Sequence, residues 1–445
     1  MSLEEGVFSK AHQILQERLG LNYRQYATNT LWLVSERVLR LGINLFVSVW
    51  VARYLGPEHF GSLSFSLSFV LLFSAIAWMG LNQIVVRDLV VSPEDTEEIL
   101  ASAFWLKVVG TLLMWLGMAA VWPWLDTTEA EMLMVFWVAG STFFQVSDVF
   151  DFHFQALVQS RYVVWAQTTH MLISSATKLW LIWLQADLHW FAMAYALEHL
   201  VQALGLWILH HVTQGGMSFL SAKLARMKSL IQESWPLLLS GVTVLICARM
   251  DQVMLKQMIG PEATGQYAAA VRISEAWYFV PMAICNSVFP SIVRSKAESL
   301  KLYERRLRQL FGLMIWMGVA VALITTWLAP WGMPFLYGQN YSESGAILQI
   351  HIWAGVFVGL GFAVGKWDVN ENLMRYGLGK ALLGVLINLI LNYLTIPVFG
   401  GLGAAVSTLV SQMVSSYFSM ALWKPTRVSF FLANRSLFSG FGKIS

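Results

Sequence analysis

Residues 41–78 read LGINLFVSVWVARYLGPEHFGSLSFSLSFVLLFSAIAW. The stretch holds two apolar runs that meet at Gly56-Pro57, with Arg53, Glu58 and His59 gathered at the junction. A helix of about 20 mostly apolar residues crosses the hydrocarbon of a bilayer. Gly followed by Pro ends one helix and opens the next. The stretch therefore predicts two membrane-crossing helices joined by a tight turn. The same ruler, carried outward in both directions, predicts twelve spans: 28–53, 60–86, 100–124, 131–158, 162–186, 188–211, 230–257, 264–293, 308–330, 342–365, 373–397 and 401–423. Gly or Pro marks many of the connectors, as at Trp122-Pro123, Gly260-Pro261 and Pro330 to Pro334.

The composition agrees. Of 445 residues, 57% are hydrophobic and 12% charged, and the mean hydropathy is +0.59. A soluble domain carries about 25% charged residues, so a water-facing surface cannot be built from this chain. A soluble enzyme, a nucleic-acid binder and a disordered chain are excluded. The 21 Trp fit a membrane protein, because Trp collects at the membrane–water boundary. Cys247 and Cys285 lie in apolar runs and read as two small buried thiols. The first 20 residues carry Glu4, Glu5, Lys10, Glu17 and Arg18 without a long apolar core, so they do not read as a cleavable signal peptide.

Charge placement supplies an orientation. With twelve spans, 21 of the 29 Lys and Arg fall in the tails, the connectors and the adjoining span ends on one side. Arg53 and Lys256 alone fall at the span ends of the other, and six lie deeper inside spans. The positive-inside rule puts both termini in the cytoplasm. A missed single span would have scrambled that phase.

A short repeat links the halves. Leu55-Gly56-Pro57-Glu58-His59-Phe60-Gly61 follows the first span and Ile259-Gly260-Pro261-Glu262-Ala263-Thr264-Gly265 follows the seventh. Both read apolar-G-P-E-x-x-G, 204 residues and six spans apart. An even number of spans leaves both copies in the same orientation, so the halves are expected to be parallel repeats with a cavity between them. The fold expected is all-α: twelve transmembrane helices in two parallel six-helix bundles. Its divisions are a cytoplasmic N-terminal segment (1–27), the first bundle (28–212), a cytoplasmic linker (213–228), the second bundle (229–424) and an amphipathic cytoplasmic tail (425–445). The tail, with Phe430, Phe431, Phe438 and Phe441 among Arg and Lys, reads as an interfacial segment.

An ionisable side chain inside the hydrocarbon costs at least about 2.5–3.5 kcal/mol and normally faces a cavity or a partner. Arg37, Arg40, Asn44 and Ser48 share one face of the first span. They either wall a cavity, or the two Arg snorkel to the cytoplasmic surface. Arg272, Glu275 and Asn286 share a face of the eighth span, where Arg272 and Glu275 either line a cavity or pair with each other. Arg249 in the seventh span lies too deep to snorkel readily. Lys107, Lys178, Gln145, Asp148 and Asp151 complete the set, and for both lysines cavity lining and structural ion pairing stay open. Glu198 and His199 show no clear partner. Six intramembrane cations (Arg37, Arg40, Lys107, Lys178, Arg249 and Arg272) would give a cavity a positive surplus that selects anions. Guanidinium forks match phosphate oxygens. The chain holds no G-x-x-x-x-G-K-[ST] loop, H-E-x-x-H or C-x-x-C, so neither ATP hydrolysis by that route nor an embedded enzyme carries a signature here.

Several passages together resemble the bacterial polysaccharide exporter family, specifically the O-antigen-type flippases for lipid-linked oligosaccharides, within the multidrug/oligosaccharidyl-lipid/polysaccharide superfamily. They are Ala52 to Gly61, Gly80 to Leu89, Asp151-Phe152-His153-Phe154-Gln155-Ala156, Leu336 to Tyr341, and Asn388 and Asn392 with Ile396-Pro397 and Gly400 to Ser407. Their order spans most of residues 28–423. The resemblance implies two bundles in a V that opens alternately to either side. It implies a polyprenyl-pyrophosphate-linked oligosaccharide repeat unit, moved across the bacterial cytoplasmic (inner) membrane for O-antigen, capsule or exopolysaccharide biosynthesis. On that reading Arg37, Arg40, Arg249 and Arg272 meet the pyrophosphate, with Lys107 and Lys178 as further cavity cations, and Asn44, Ser48, Gln145 and Asn286 line the polar cavity. Family members are thought to couple transport to an ion gradient, for which Asp148, Asp151 and Glu275 could carry protons or sodium. Membrane lipid, a polysaccharide polymerase and a chain-length regulator are the partners implied, with neither cofactor nor metal nor nucleic acid. The rival readings are a multidrug and toxin extrusion-type antiporter, expected to carry an acidic cavity for its cationic substrates, and a membrane-embedded glycosyltransferase or polymerase, expected to carry paired carboxylates in extracytoplasmic loops.

Overall fold

The computed structural model describes the backbone of residues 23–438 and the side chains of residues 39–159 and 162–437. The chain divides into two compact units, Met1–Asn44 and Leu45–Ser445. In the first, residues 23–44 are helical, Arg40 is half-buried and Asn44 is exposed. The side chain of Arg37 lies outside the described residues, as do those of Phe438 and Phe441.

Every regular element among the described residues is a helix. The stretch Tyr23–Trp78 is broken at Gly56 into α1 (23–55) and α2 (57–78), and Leu81–Val91 continues α2 beyond a kink at Gly80. Then come α3 (Thr96–Val121), α4 (Glu129–Phe144 and Asp148–Ala156), α5 (Ser160–Trp183) and α6 (Leu188–Gln214). The second half repeats the order with α7 (Leu224–Met258), α8 (Pro261–Ala276 and Phe279–Glu298) and α9 (Leu300–Tyr337). Its last three are α10 (Ser342–His351 and Ala354–Asn370) and α11 (374–399) and α12 (401–416), which adjoin at Gly400. Among the described residues, nine stretches meet the length and hydropathy of a membrane span when the two parts of α10, bent by 43°, are taken as one. Two of these, Leu39–Val91 and Met374–Ala421, each hold two spans around a glycine break, and α5 is the twelfth. α5 is less apolar because it carries His170 and Lys178 among several hydroxyls. The result is the predicted twelve-helix fold.

Backbone conformation at the repeat is the same in both copies. Gly56 has φ 70° and ψ 172°, and Gly260 has φ 130° and ψ 177°. Only glycine enters that region freely. Pro57 and Pro261 then open α2 and α8 with φ already set for a helix, and Glu58 and Glu262 sit in the first turn, where the helix dipole favours a carboxylate.

Several helices outrun their predicted spans. α9 starts at Leu300 rather than 308. Its first turns are basic, so hydropathy does not count them, yet Tyr303 and Leu307 are buried against neighbours. The tail forms a turn and a last helix, α13 (Arg427–Phe438). Leu432, Ala433 and Ser436 are buried there and Ser436 meets Gly312 of α9, while Val428 and Phe431 stay exposed. Cys247 and Cys285 are free thiols.

The halves are tied together at the basic end. Lys223 Nζ lies 2.6 Å from Glu98 and Arg226 Nη2 3.0 Å from Asp95. Arg87 Nη2 lies 2.5 Å from Glu233. A close-packed cluster of Leu81, Val85, Leu100, Phe150, Leu206 and Leu230 lies in the same region.

Candidate functional site

A cavity of about 290 Å³ opens between the two halves. α2 contributes Ser64, Ser68 and Trp78, the turn inside α4 contributes Gln145, and α6 contributes Tyr195 and His199. From the second half α7 contributes Arg249 and Gln252, and α8 contributes Arg272 and Glu275. Ser64 and Ser68, Tyr195 and His199, Arg249 and Gln252, and Arg272 and Glu275 each stand three or four residues apart, so α2, α6, α7 and α8 each present two of these side chains on one face. Mostly hydroxyl, amide and guanidinium groups supply the polar wall.

The two guanidiniums have different partners. Arg249 Nη2 lies 3.1 Å from Glu275 Oε2, with the side chains 25% and 30% exposed. Of the two alternatives for Glu275, cavity lining and a pair with Arg272, the structure shows cavity lining, and the carboxylate pairs with α7. Arg272 makes no ion pair within 4 Å among the described residues. Its Nη1 donates to Ser48 Oγ, and its guanidinium lies 4.9 Å from the centre of the Phe60 ring. Two guanidiniums face one carboxylate, which leaves the wall one positive charge in excess. Polar contacts cross between the halves beside them, as where Ser68 Oγ donates to Gln252 Oε1 at 2.8 Å. Trp78 Nε1 donates to Gln145 Oε1 at 3.1 Å.

The two lysines stand apart from this wall. Lys107 is 3% exposed and lies 3.1 Å from Asp148, with Gln145 O at 2.6 Å and the Phe152 ring beneath it. Lys178 Nζ lies 2.5 Å from Glu198, which also has His170 at 3.9 Å. Both pairs join helices of the first half, and neither lysine lines the cavity. Asp151 accepts from Gln155 at 3.1 Å. Asn286 is exposed on α8. Of the positions singled out in the sequence, the cavity therefore gathers Arg249, Arg272, Glu275, Gln145 and His199, with Ser48 bound to Arg272.

One carboxylate escaped the site reading. Asp251 on α7 is 3% exposed. It accepts from Tyr267 Oη at 2.5 Å, Thr408 Oγ1 at 2.6 Å and Asn392 Nδ2 at 3.5 Å. Asn392 Nδ2 also reaches Asn388 Oδ1 at 3.0 Å, while its own Oδ1 is buried without a hydrogen-bond partner among the described residues. No cation lies within 4 Å of Asp251 among the described residues. The signal was present in the spacing of Asn388 and Asn392, which puts two amides on one face of α11. What sequence could not give was the approach of α7 and α12 to that face.

Comparison with known proteins follows this geometry. The family model described as polysaccharide biosynthesis protein matches residues 26–296, more than half of the chain. A Staphylococcus aureus protein named capsular polysaccharide biosynthesis protein CapF is 23% identical over 200 residues, 43% of this chain and 49% of that protein. A Haloferax volcanii protein named probable flippase AglR is 28% identical over 175 residues, 38% of this chain and 36% of that one. The matches thus span about half and about a third of these relatives. In fold, the chain is similar to an inward-facing multidrug resistance MATE family transporter of the MOP superfamily, with a TM-score of 0.72 at 13% identity over 89% of this chain and 96% of that one. It is similar also to the lipid II flippase MurJ in an inward closed conformation, with a TM-score of 0.70 at 13% identity over 92% and 91%. On the family match, this chain belongs to the polysaccharide biosynthesis protein family.

Proposed function

We propose that the chain is a flippase that carries polyprenyl-pyrophosphate-linked oligosaccharide repeat units across the bacterial cytoplasmic membrane by alternating access. The carrying observation is the pair Arg249 and Arg272 on one wall of a hydroxyl- and amide-lined cavity between the halves. A diphosphate offers the fork geometry and charge that guanidiniums bind best. Serine, glutamine and tyrosine groups suit sugar hydroxyls, and the polyprenyl chain stays in lipid. The family and the names of the relatives support a role in surface polysaccharide assembly. A multidrug antiporter reading shares the fold, but a wall with surplus positive charge opposes cationic drugs. The basic end faces the cytoplasm on this reading, and bundles 28–212 and 229–424 rock about the linker 213–228. A polymerase and a chain-length regulator would take the product. Asp251, buried among hydroxyls and amides, is the group best placed to take a coupling proton or sodium ion, ahead of Asp148 and Asp151, and Glu275 is held by Arg249.

Complementation of an export-deficient strain tests the proposal. Arg249→Ala and Arg272→Ala, singly and together, should abolish surface polysaccharide while the protein stays in the membrane. Normal export by the singles and the double would overturn the anion-clamp assignment.

A further inference from the structure

The repeated motif does more than turn the chain. Gly61 of the first copy lies against the Pro261 carbonyl of the second, and Gly265 of the second lies against the Pro57 carbonyl of the first. A Cβ at either glycine would overlap the carbonyl it faces, and one at Gly61 would also stand 2.8 Å from the Gly265 nitrogen. The contact is reciprocal: the same position in each half meets the same group in the other. α2 and α8 touch backbone to backbone here, at the end opposite the basic connectors. Alanine at either position would part the helices by on the order of 1–2 Å to restore an ordinary contact of ~3.5 Å.

Seven residues beyond each glycine, two turns along the same helix face, the copies differ. The first copy has Ser68, bonded to Gln252. The second has Arg272, bonded to Ser48 and stacked on Phe60, both in the first half. Phe60 directly precedes Gly61. Arg272 thus joins α8 to the first copy of the motif and at the same time lines the cavity. Near it, Tyr341 Oη donates to Ala52 O at 2.7 Å and packs edge-on against Phe60.

We propose that the two G-P-E-x-x-G copies form the outer closure of the transporter as a reciprocal glycine clasp, and that Arg272 is its latch, released when a diphosphate in the cavity takes the guanidinium. The proposal rests on the flippase reading for the identity of the anion. The clasp is made of van der Waals contact without a direct hydrogen bond between the glycines and carbonyls, so it holds without binding tightly. A diphosphate oxygen is a stronger acceptor than a serine hydroxyl because both partners are charged. An anion that draws Arg272 from Ser48 and Phe60 removes a polar tie between the halves and shifts the population toward the outward-open state. Substrate binding and outer opening are thereby linked through one side chain that touches the anion.

Spin labels at Glu58→Cys and Glu262→Cys, in a Cys247→Ser, Cys285→Ala background, test this by distance measurement in full-length protein in nanodiscs. Both positions are exposed and repeat-equivalent. The parent should give a short distance with a longer population below about 10%. Gly61→Ala and Gly265→Ala should make the longer population the majority. Phe60→Leu and Ser48→Ala, which add no bulk, should raise it severalfold even if an alanine variant fails to fold. Inorganic pyrophosphate and farnesyl pyrophosphate should raise it in the parent and not in Arg272→Ala, where it is raised from the start. Parent-like distances in the folded glycine, Phe60 and Ser48 variants overturn the clasp. An equal response to pyrophosphate in Arg272→Ala overturns the latch. Variants that open as expected in a parent blind to both pyrophosphates uphold the clasp and overturn anion release, together with the diphosphate reading it rests on.

Discussion

Glu275→Gln should tighten binding of a pyrophosphate lipid. In the structure Glu275 lies 3.1 Å from Arg249, so a diphosphate competes with a resident carboxylate for that guanidinium. A hydrogen bond to a charged group is worth about 1.5–3 kcal/mol net. The two side chains are 25% and 30% exposed, so solvent screening favours the lower figure. Removal of the competing charge should therefore gain about 1.5 kcal/mol, close to tenfold in affinity. Glutamine keeps the shape and can still accept, which guards against collapse of the wall. The assay is equilibrium binding of farnesyl pyrophosphate to protein in nanodiscs, repeated in an Arg249→Ala background. There the substitution should have no effect, because the competition it relieves is gone. Unchanged affinity in the first background, or the same tightening in the second, would refute the reasoning.

Three further outcomes follow from the same geometry. Lys107→Met should lower stability by about 3 kcal/mol, because it strands Asp148 beside the place of a buried ammonium, and the double variant with Asp148→Asn should recover most of the loss; thermal unfolding in detergent reads both, with pyrophosphate affinity unchanged. Asp251→Asn should leave pyrophosphate binding within about twofold, as expected for sites that share no partner, but remove the dependence of transport on a proton or sodium gradient in proteoliposomes. Arg249→Lys keeps the charge and loses the fork, so farnesyl pyrophosphate affinity should fall about tenfold rather than survive as a conservative change.

The fold was legible because membrane helices obey a simple rule. Length, apolarity and the phase of the basic connectors located twelve spans, and the repeated G-P-E-x-x-G identified the two halves. Helix ends were less legible. Hydropathy stops where Lys301 to Arg308 begin, whereas the helix continues for as long as Tyr303 and Leu307 find something to pack on. Kinks inside α4 and α10 left no comparable mark. The candidate site was legible in kind but not in pairing. Sequence placed Arg249, Arg272 and Glu275 inside the membrane, and spacing suggested that the last two met. The partner of Glu275 is instead on another helix, a fact of tertiary packing that no periodicity carries. Lys107, Lys178 and Arg249 each meet a carboxylate of a neighbouring helix, and only the Arg249 pair also lines the cavity. Asp251 stands two residues from Arg249 in the seventh span, but sequence assigned it no role because its hydroxyl and amide partners come from three other helices.

The most direct measurement is the affinity of purified protein for a polyprenyl-pyrophosphate-linked glycan, compared with Arg249→Ala/Arg272→Ala. Two lost charged hydrogen bonds at about 1.5 kcal/mol each predict a fall of about 100-fold or more, with a shallower dependence on salt. Equal affinity and equal salt dependence in the two proteins would contradict the claim that these guanidiniums hold the diphosphate.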